Sequence, residues 1–272
     1  MPNFYTFVAN NDFMNLLKHI PNALTCCNLL CGCLGIIFLF EGSLLWAAYC
    51  LPIAAVFDFF DGFVARFFKV NSAIGKDLDS LADTVTFGVL PALMLYHYFK
   101  IGMAVHGVIQ PAWLPYIALL LAVFSALRLA KFNNDSRQTT SFIGVPTPAI
   151  SLFIGSWPLF MQNPAMQNLN GTNAWQYLQQ MDVAQPAWQN MLLHPWFLLP
   201  LTLLMCFLLV CELPLFALKF KSFTWAENKQ RYMFLTGSAI LLLIFKFAAI
   251  PIIITVYVLL SLVMHATAKQ KS

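Results

Sequence analysis

Residues 58–66 read Asp58-Phe-Phe-Asp61-Gly62-Phe-Val-Ala65-Arg66, and residues 75–83 read Gly75-Lys-Asp-Leu-Asp79-Ser-Leu-Ala-Asp83. Four aspartates of these stretches, Asp58, Asp61, Asp79 and Asp83, lie beside apolar runs of membrane-spanning length. An acidic side chain at the centre of a membrane helix costs roughly 2.5–3.5 kcal/mol even on lenient insertion scales, so such carboxylates are functional candidates by default. Their spacings of three and four predict a metal site.

The composition of the whole chain also favours a membrane protein. Hydrophobic residues make up 60% of the chain and charged residues only 10%, whereas soluble domains have roughly 45–50% and about 25%. Uncharged stretches of the length that a spanning helix needs, about 20 residues, include 19–40, 101–127, 183–211 and 247–268. No basic tract is dense enough to bind nucleic acid, so we expect no such partner.

We predict an all-α integral membrane protein, a polytopic bundle of about eight transmembrane helices. The predicted segments are 22–40, 43–66, 76–99, 112–133, 145–161, 196–217, 232–247 and 249–265. The last two, separated by Lys246 and Pro251, could form a hairpin or one long kinked helix.

The chain, 1–272, is expected to form a single membrane domain. Its parts are an N-terminal interfacial or tail segment (1–19), a helical core (20–217) with a polar external insertion (162–195), and C-terminal helices with a tail (218–272).

The cationic residues predict the orientation of the chain. One side of the predicted bundle carries Lys18, Arg66, Lys69, Lys76, Arg128, Lys131, Arg137, Lys219, Lys221, Lys229, Arg231, Lys269 and Lys271. The other side carries Lys100 and Lys246. Because cytoplasmic loops are enriched in lysine and arginine, both termini and the four aspartates are expected to face the cytoplasm.

The same topology predicts that the four aspartates can act together. One pair lies near the cytoplasmic end of the second predicted segment, and the other pair lies at the start of the third. Residues three or four positions apart share a helix face, so each helix would direct two carboxylates the same way at the same depth. Small residues at Gly62, Ala65 and Gly75 would let the helices, or a flat ligand, approach closely.

Oxygen ligands without histidine or thiolate favour magnesium, manganese or calcium over zinc. A pair of divalent ions would neutralise four carboxylates and bind an anionic substrate such as a diphosphate. Arg66 could contact phosphate oxygens, and one carboxylate left partly free could take the proton of an attacking hydroxyl. The simpler interpretation is a set of ion pairs with Arg66, Lys69 and Lys76 that only holds a turn.

The pattern Asp58-x2-Asp61-Gly62-x2-Ala65-Arg66-x8-Gly75-x3-Asp79-x3-Asp83 matches without departure the signature of the CDP-alcohol phosphatidyltransferases. The wider sequence resembles the bacterial phosphatidylserine synthase branch of that family. Four segments carry this second resemblance: 20–32, 78–91, 127–133 and 142–148. Together the resemblances span roughly residues 18–160.

This resemblance implies a six-helix core with about two added C-terminal helices, and a homodimer among the lipids of the inner (cytoplasmic) membrane. It implies attack of an alcohol on the phosphorus of CDP-diacylglycerol that bears diacylglycerol, with release of CMP. The four aspartates would hold two divalent ions, Mg²⁺ or Mn²⁺, and Asp83 would also be the general base. Residues implied to line the CDP-diacylglycerol pocket are Asn22, Thr25, Gly62, Ala65, Arg66 and Gly75.

The resemblance implies L-serine as the acceptor alcohol. Because serine brings a carboxylate, Arg128 and Lys131 near the end of the fourth predicted segment are candidates to bind it. They could instead set the topology or contact lipid phosphate. Glycerol 3-phosphate or inositol phosphate would also need cations, so these acceptors and choline remain alternatives. An ion-coupled transporter is a further alternative, although it would place its carboxylates nearer the midplane, in repeated or broken helices.

Overall fold

The computed structural model describes residues 11–68, 74–134, 142–161, 187–215 and 225–269. Its helices are α1 (Asn11–Phe40), α2 (Leu44–Phe68), α3 (Gly75–Asp83), α4 (Leu90–Val105), α5 (Leu120–Asn134), α6 (Thr147–Gly155), α7 (Trp157–Phe160), α8 (Ala187–Leu193), α9 (Pro195–Val210), α10 (Trp225–Phe245) and α11 (Ala249–Lys269). A π-helical segment, Thr84–Val89, joins α3 to α4. Two 3-10 segments, Leu114–Leu119 and Lys246–Ala248, precede α5 and α11. The strands β1 (Phe142–Ile143) and β2 (Pro214–Leu215) pair antiparallel.

The apolar runs of the sequence form membrane-spanning helices. Among the described residues, five helical stretches are long and apolar enough to cross a bilayer: His19–Phe40, Leu44–Phe68, Gly75–Val105, Leu114–Asn134 and Arg231–His265, the last of which is broken at Lys246. The pair α8 and α9, bent by 58°, adds a sixth candidate, and Thr147–Phe160 is a shorter apolar stretch. Each of the eight predicted segments coincides with helix in the described chain. The prediction of an all-α, polytopic integral membrane protein is confirmed.

The C-terminal stretch folds back on itself at Lys246. The rings of Phe234 in α10 and Tyr257 in α11 have centroids 5.6 Å apart, whereas a straight helix would separate these positions by roughly 35 Å. Lys246 has a φ of +50°, which interrupts the helix. Of the two forms that the sequence left open, the structure therefore has the hairpin.

One predicted helix boundary needs correction. Helix α9 ends at Val210 rather than at 217, because the following backbone turns away and β2 pairs with β1. Of the insertion predicted over 162–195, the described part contains α8, in which Gln189 and Leu193 are buried; residues 162–186 lie outside the described chain. Of the N-terminal segment predicted over 1–19, the described part belongs to α1, which begins at Asn11.

Helix α1 lies directly against the π-helical segment. A Cβ atom at Gly32 would come within 2.4 Å of Thr86 Oγ1 and 2.9 Å of Thr86 Cα. Only glycine permits such an approach, because the Thr86 backbone cannot move aside without displacing its helix. The contact fixes α1 beside α3, and it brings the polar residues of α1 next to the aspartates.

The two ends of the bundle carry different groups. The aspartates lie in the last three turns of α2 and along α3, and we call this the acidic end. Here the Lys76 Nζ atom donates a hydrogen bond of 2.7 Å to the backbone oxygen of Asn133 at the end of α5. At the opposite end, His106 after α4 contacts His194 before α9, with ring centroids 4.5 Å apart. Antiparallel packing thus brings the end of α2, the start of α3 and the end of α5 to the acidic end.

Candidate active site

Three carboxylates converge at the acidic end. Asp58 and Asp61 lie one turn apart on α2, and Asp79 reaches them from α3. Each offers one ligand oxygen, and these three atoms all lie within 4.8 Å of one another. Asp61 is buried, and the other two are partly buried. We call these residues the Asp triad.

Asp83 lies one turn beyond Asp79 on α3 and is outside the group of three. Its side chain is buried. The Asn28 Nδ2 atom donates a hydrogen bond of 3.1 Å to Asp83 Oδ1. The structure therefore brings three of the four predicted ligands together, and it gives the fourth a partner of its own from α1.

Helix α1 supplies hydrogen-bond donors to both pairs of aspartates. The Thr25 hydroxyl lies 2.6 Å from Asp61 Oδ2, to which it donates, and 3.1 Å from the backbone oxygen of Pro21. Asn28, three positions later, contacts Asp83. Residues three apart share a helix face. One face of α1 therefore donates a hydrogen bond to α2 through Thr25 and another to α3 through Asn28.

Asn28 is a site residue that the sequence prediction did not select. It lies within the segment 20–32 that carries part of the family resemblance. The available signal was its spacing: a polar amide three positions after Thr25, in a helix that is otherwise mostly apolar. Its partner lies 55 positions away, so the sequence could indicate a polar face on α1 but not the residue that this face meets.

The residues predicted for the CDP-diacylglycerol pocket lie on α1, α2 and α3 at the acidic end: Asn22, Thr25, Gly62, Ala65, Arg66 and Gly75. Arg66 is exposed, and its guanidinium nitrogens lie 3.8 Å from the position that a Cβ of Gly62 would take. Gly62 therefore leaves an open strip of α2 backbone beside the exposed guanidinium of Arg66. A flat or anionic group could bind in this strip.

The two cations predicted to bind serine differ in their surroundings. Arg128 is buried, and its Nη1 atom lies 3.5 Å from Thr147 Oγ1 on α6. Its charge is close enough to act on Asp83. Lys131, one turn later on α5, is exposed. The prediction treated them as a pair, but only Arg128 points into the protein.

Two polar atoms on α5 and α6 are buried and have no hydrogen-bond partner among the described residues. They are Arg128 Nε and Ser151 Oγ, the latter one turn along α6 from Thr147. Buried polar atoms are nearly always hydrogen-bonded in folded proteins. Both atoms are therefore candidates to bind a polar ligand.

A second polar cluster joins α3 to α5 at the acidic end. The Asn133 Nδ2 atom donates a hydrogen bond of 2.7 Å to Ser80 Oγ, and Ser80 Oγ donates one of 3.0 Å to the backbone oxygen of Lys76. Ser80 lies between Asp79 and Asp83 in the chain, so these bonds fix the turn that carries both. Arg137 and Lys69, considered from the sequence, lie outside the described residues.

The donor chemistry of the Asp triad fits a hard divalent cation. Within the described ranges its potential ligands are all carboxylate oxygens, the type that magnesium and manganese prefer. Like charges repel strongly in a poorly hydrated site, so a divalent ion would relieve the repulsion among the three groups. The triad is therefore compatible with the divalent metal that CDP-alcohol phosphatidyltransferases generally use.

Comparison with known proteins identifies the family of the chain. The sequence profile of the CDP-alcohol phosphatidyltransferases matches residues 18–188, a range that contains the Asp triad, Asp83, Asn28 and Arg128. The chain belongs to the CDP-alcohol phosphatidyltransferase family. The C-terminal hairpin of this CDP-alcohol phosphatidyltransferase lies outside the matched range.

Individual relatives in the family are similar over the same part of the chain. A CDP-diacylglycerol–serine O-phosphatidyltransferase of Helicobacter pylori is 33% identical over 148 residues, which cover 52% of this chain and 57% of the relative. The protein of that name from Bacillus subtilis is 34% identical over 132 residues, 48% of this chain and 71% of the relative. An archaetidylserine synthase of Methanothermobacter thermautotrophicus is 31% identical over 144 residues, which cover 52% of this chain and 58% of the relative. The chain thus spans little more than half the length of the first and third of these relatives.

Proposed function

We propose that this protein transfers the phosphatidyl group of CDP-diacylglycerol to the hydroxyl of L-serine, which forms phosphatidylserine and releases CMP. The observation that carries the proposal is the convergence of the Asp triad beside Asp83 at one end of the bundle, in a chain of this family. Each of the three relatives described above has a name that refers to serine, whereas those names differ in the lipid. Serine as the acceptor therefore has more support than any particular lipid donor.

The four aspartates would hold two divalent ions, Mg²⁺ or Mn²⁺, with the Asp triad as the main ligand group. When bound, such ions balance the negative charge of a diphosphate and of the departing phosphate. Thr25 occupies Oδ2 of Asp61 by its hydrogen bond. This bond would orient the carboxylate so that Oδ1 faces the other two members of the triad.

Asp83 would act as the general base. Its carboxylate would accept the proton of the serine hydroxyl while the serine oxygen forms a bond to the phosphorus that bears diacylglycerol. The bond from that phosphorus to the CMP oxygen breaks, and CMP leaves with the electron pair. Burial of Asp83 suits this role, because a base shielded from water removes a proton from the bound alcohol rather than from solvent.

The open strip at Gly62 would receive the nucleotide. Small residues at Ala65 and Gly75 would leave space for the cytidine ring, with Asn22 and Thr25 nearby on α1. Arg66 would contact the diphosphate, since a guanidinium can form paired hydrogen bonds to phosphate oxygens.

Arg128 would bind the carboxylate of serine. Its Nε atom and the Ser151 hydroxyl are both buried without a hydrogen-bond partner among the described residues. A carboxylate accepts hydrogen bonds from guanidinium and hydroxyl groups alike. The position of Arg128 near Asp83 would bring the serine hydroxyl to the base. Lys131, which is exposed, suits the alternative role of setting topology or contacting lipid phosphate.

The acidic end would face the cytoplasm, with both termini on that side of the inner membrane. In the described ranges this end carries Arg66, Lys76 and Lys131, whereas Lys100 and Lys246 lie toward the opposite end. This distribution is the one that the positive-inside bias predicts. Nucleotide and serine would then arrive from water while the acyl chains stay in lipid. We further propose a single membrane domain and, from the family resemblance, a homodimer.

Release of CMP from CDP-diacylglycerol by the purified protein tests the proposal. L-serine, glycerol 3-phosphate, inositol phosphate and choline would each be offered separately with Mg²⁺ or Mn²⁺. We expect release with serine alone, together with formation of phosphatidylserine. Release with a different alcohol would retain the chemistry and contradict the acceptor. No release with any acceptor, from folded protein that still binds divalent ions, would contradict the enzymatic function and favour a transporter.

A further inference from the structure

Asn28 is a fully buried residue whose two amide atoms differ in their hydrogen bonding. Its exposed fraction is 0%. The Nδ2 atom donates to Asp83 Oδ1, and the Oδ1 atom has no hydrogen-bond partner among the described residues. A buried amide oxygen without a partner destabilises a fold. An apolar side chain at this position would avoid that penalty, so the contact with Asp83 is the feature that accounts for an amide here.

The orientation of the amide follows from its partner. Only the nitrogen of a carboxamide can donate, whereas an ionised carboxylate can only accept. A rotation of the Asn28 amide by half a turn would bring its oxygen against the carboxylate of Asp83, and the two acceptors would repel each other. Contact with Asp83 therefore forces the amide oxygen to remain without a partner in the described chain.

The backbone around this contact is also fixed. The Thr86 hydroxyl, three positions after Asp83, donates a hydrogen bond of 3.1 Å to the backbone oxygen of Asn28. One turn further along α1, Gly32 lies against Thr86 without room for a Cβ atom. Asn28 and the segment that carries Asp83 are thus joined by two hydrogen bonds that run in opposite directions. A π-helical segment begins directly after Asp83, and such segments frequently occur at functional sites.

We propose that Asn28 is a positioning residue for Asp83, which holds Asp83 Oδ1 and thereby directs Oδ2 toward the hydroxyl of the acceptor alcohol. The inference rests on the proposed function, in which Asp83 takes the proton of that hydroxyl. Thr25 makes the comparable contact with Asp61. Two residues of α1, one turn apart, would therefore serve different steps: Thr25 the binding of metal, and Asn28 the transfer of the proton.

Kinetics of Asn28→Ala beside the matched variant Thr25→Val test this division. Both variants remove a buried hydrogen-bond donor from the same face of α1. For Asn28→Ala we expect kcat to fall roughly 10²-fold, the scale of a positioned general base. Its KM for CDP-diacylglycerol should change less than about threefold. Its half-saturating Mn²⁺ concentration should rise only modestly, because the Asp triad would supply most of the metal ligands. For Thr25→Val we expect the half-saturating Mn²⁺ concentration to rise more than for Asn28→Ala.

Asn28→Asp tests whether the hydrogen-bond donor of Asn28 matters, or only the shape of its side chain. Aspartate has nearly the same size but offers no donor when ionised, so its kcat should be as low as that of Asn28→Ala. Direct binding of CDP-diacylglycerol to each purified variant provides a readout that does not depend on turnover. We expect both Asn28 variants to bind it as the unaltered protein does.

Three results would overturn the inference. A kcat of Asn28→Ala equal to that of the unaltered protein would contradict this inference and leave the proposed function intact. Loss of CDP-diacylglycerol binding in proportion to turnover would show that Asn28 supports the fold or the substrate rather than the base. Absence of serine-dependent CMP release by the unaltered protein would contradict the proposed function, and this inference with it.

Discussion

The acidic end of the bundle and the C-terminal hairpin of α10 and α11 depend on different kinds of contact. At the acidic end, α1, α2 and α3 exchange hydrogen bonds between buried polar side chains, and α1 lies against backbone at Gly32. In the hairpin, only 6% of an 18-residue apolar stretch is buried inside the protein, compared with 56% of such a stretch in Gly75–Val105. The hairpin helices line a half-open apolar cavity of about 530 Å³ beside Gly237. Side-chain placement is therefore restricted at the acidic end, whereas the hairpin has space for substitutions.

The largest expected effect comes from removing divalent ions. Chelation by EDTA should lower CMP release at least about 10³-fold, because metal ions supply several kcal/mol of charge stabilisation in phosphoryl transfer. Mg²⁺ or Mn²⁺ added in excess should restore the rate. The measurement is CMP release before chelation, after it and after re-addition. Undiminished release in EDTA would contradict a metal role for the Asp triad.

A smaller effect is expected from Arg128→Ala, which removes a buried cation at the acidic end. A hydrogen bond to a charged group contributes about 1.5–3 kcal/mol, so KM for serine should rise about 10- to 100-fold. KM for CDP-diacylglycerol should change much less. Lys131→Ala is the matched control, because that cation is exposed on the same helix, and both its KM values should stay near those of the unaltered protein. Equal increases of both KM values in Arg128→Ala would contradict a serine contact.

Gly32→Ala tests how closely α1 must approach the π-helical segment. The added methyl would meet Thr86 Cα at 2.9 Å, so one of the two helices must move. Overpacking of this kind typically costs about 1–3 kcal/mol, and the shift would also stretch the contact between Asn28 and Asp83. We expect a lower midpoint of thermal unfolding in detergent together with a lower kcat. An unchanged midpoint would mean that the acidic end is packed less tightly than described.

Gly237→Ala is the corresponding change in the hairpin and should have the smallest effect. A Cβ atom at this position would have nothing within 4 Å. Because alanine loses less conformational entropy than glycine in a helix, the variant should be more stable by about 0.5–1 kcal/mol. Thermal unfolding and CMP release measured beside Gly32→Ala would check this. Destabilisation or loss of activity would show that the hairpin does not tolerate a methyl group at Gly237 despite the open space beside it.

The sequence was sufficient to predict the helices and the convergence of Asp58, Asp61 and Asp79. Apolar runs long enough to span a bilayer predict the helices. A carboxylate near such a run has a high free-energy cost, which makes it a functional candidate. The hairpin was harder to predict, because Lys246 and Pro251 indicate a break but not the direction in which the chain continues. The end of α9 was misplaced, because the apolar pattern continues past Val210 while the backbone leaves the helix to pair with β1.

Details of the site depend on contacts that no local pattern contains. The spacing of Asp79 and Asp83 predicts a shared helix face, but their distances from α2 depend on how the two helices pack. Asp83 consequently lies beside Asn28, outside the triad. Arg128 and Lys131 illustrate the same limit, since their spacing is compatible with a pair while the packing of α5 buries only the first.

Incorporation of labelled L-serine into phosphatidylserine by Asp79→Asn and Asp77→Asn tests the central claim most directly. Both residues lie in α3, two positions apart; Asp79 belongs to the Asp triad, whereas Asp77 is exposed. We expect Asp79→Asn to lose at least about 10³-fold in rate. Asp77→Asn should remain within about twofold of the unaltered protein, since an exposed charge contributes little. Equal rates for the two variants would contradict the assignment of phosphatidyl transfer to the acidic end.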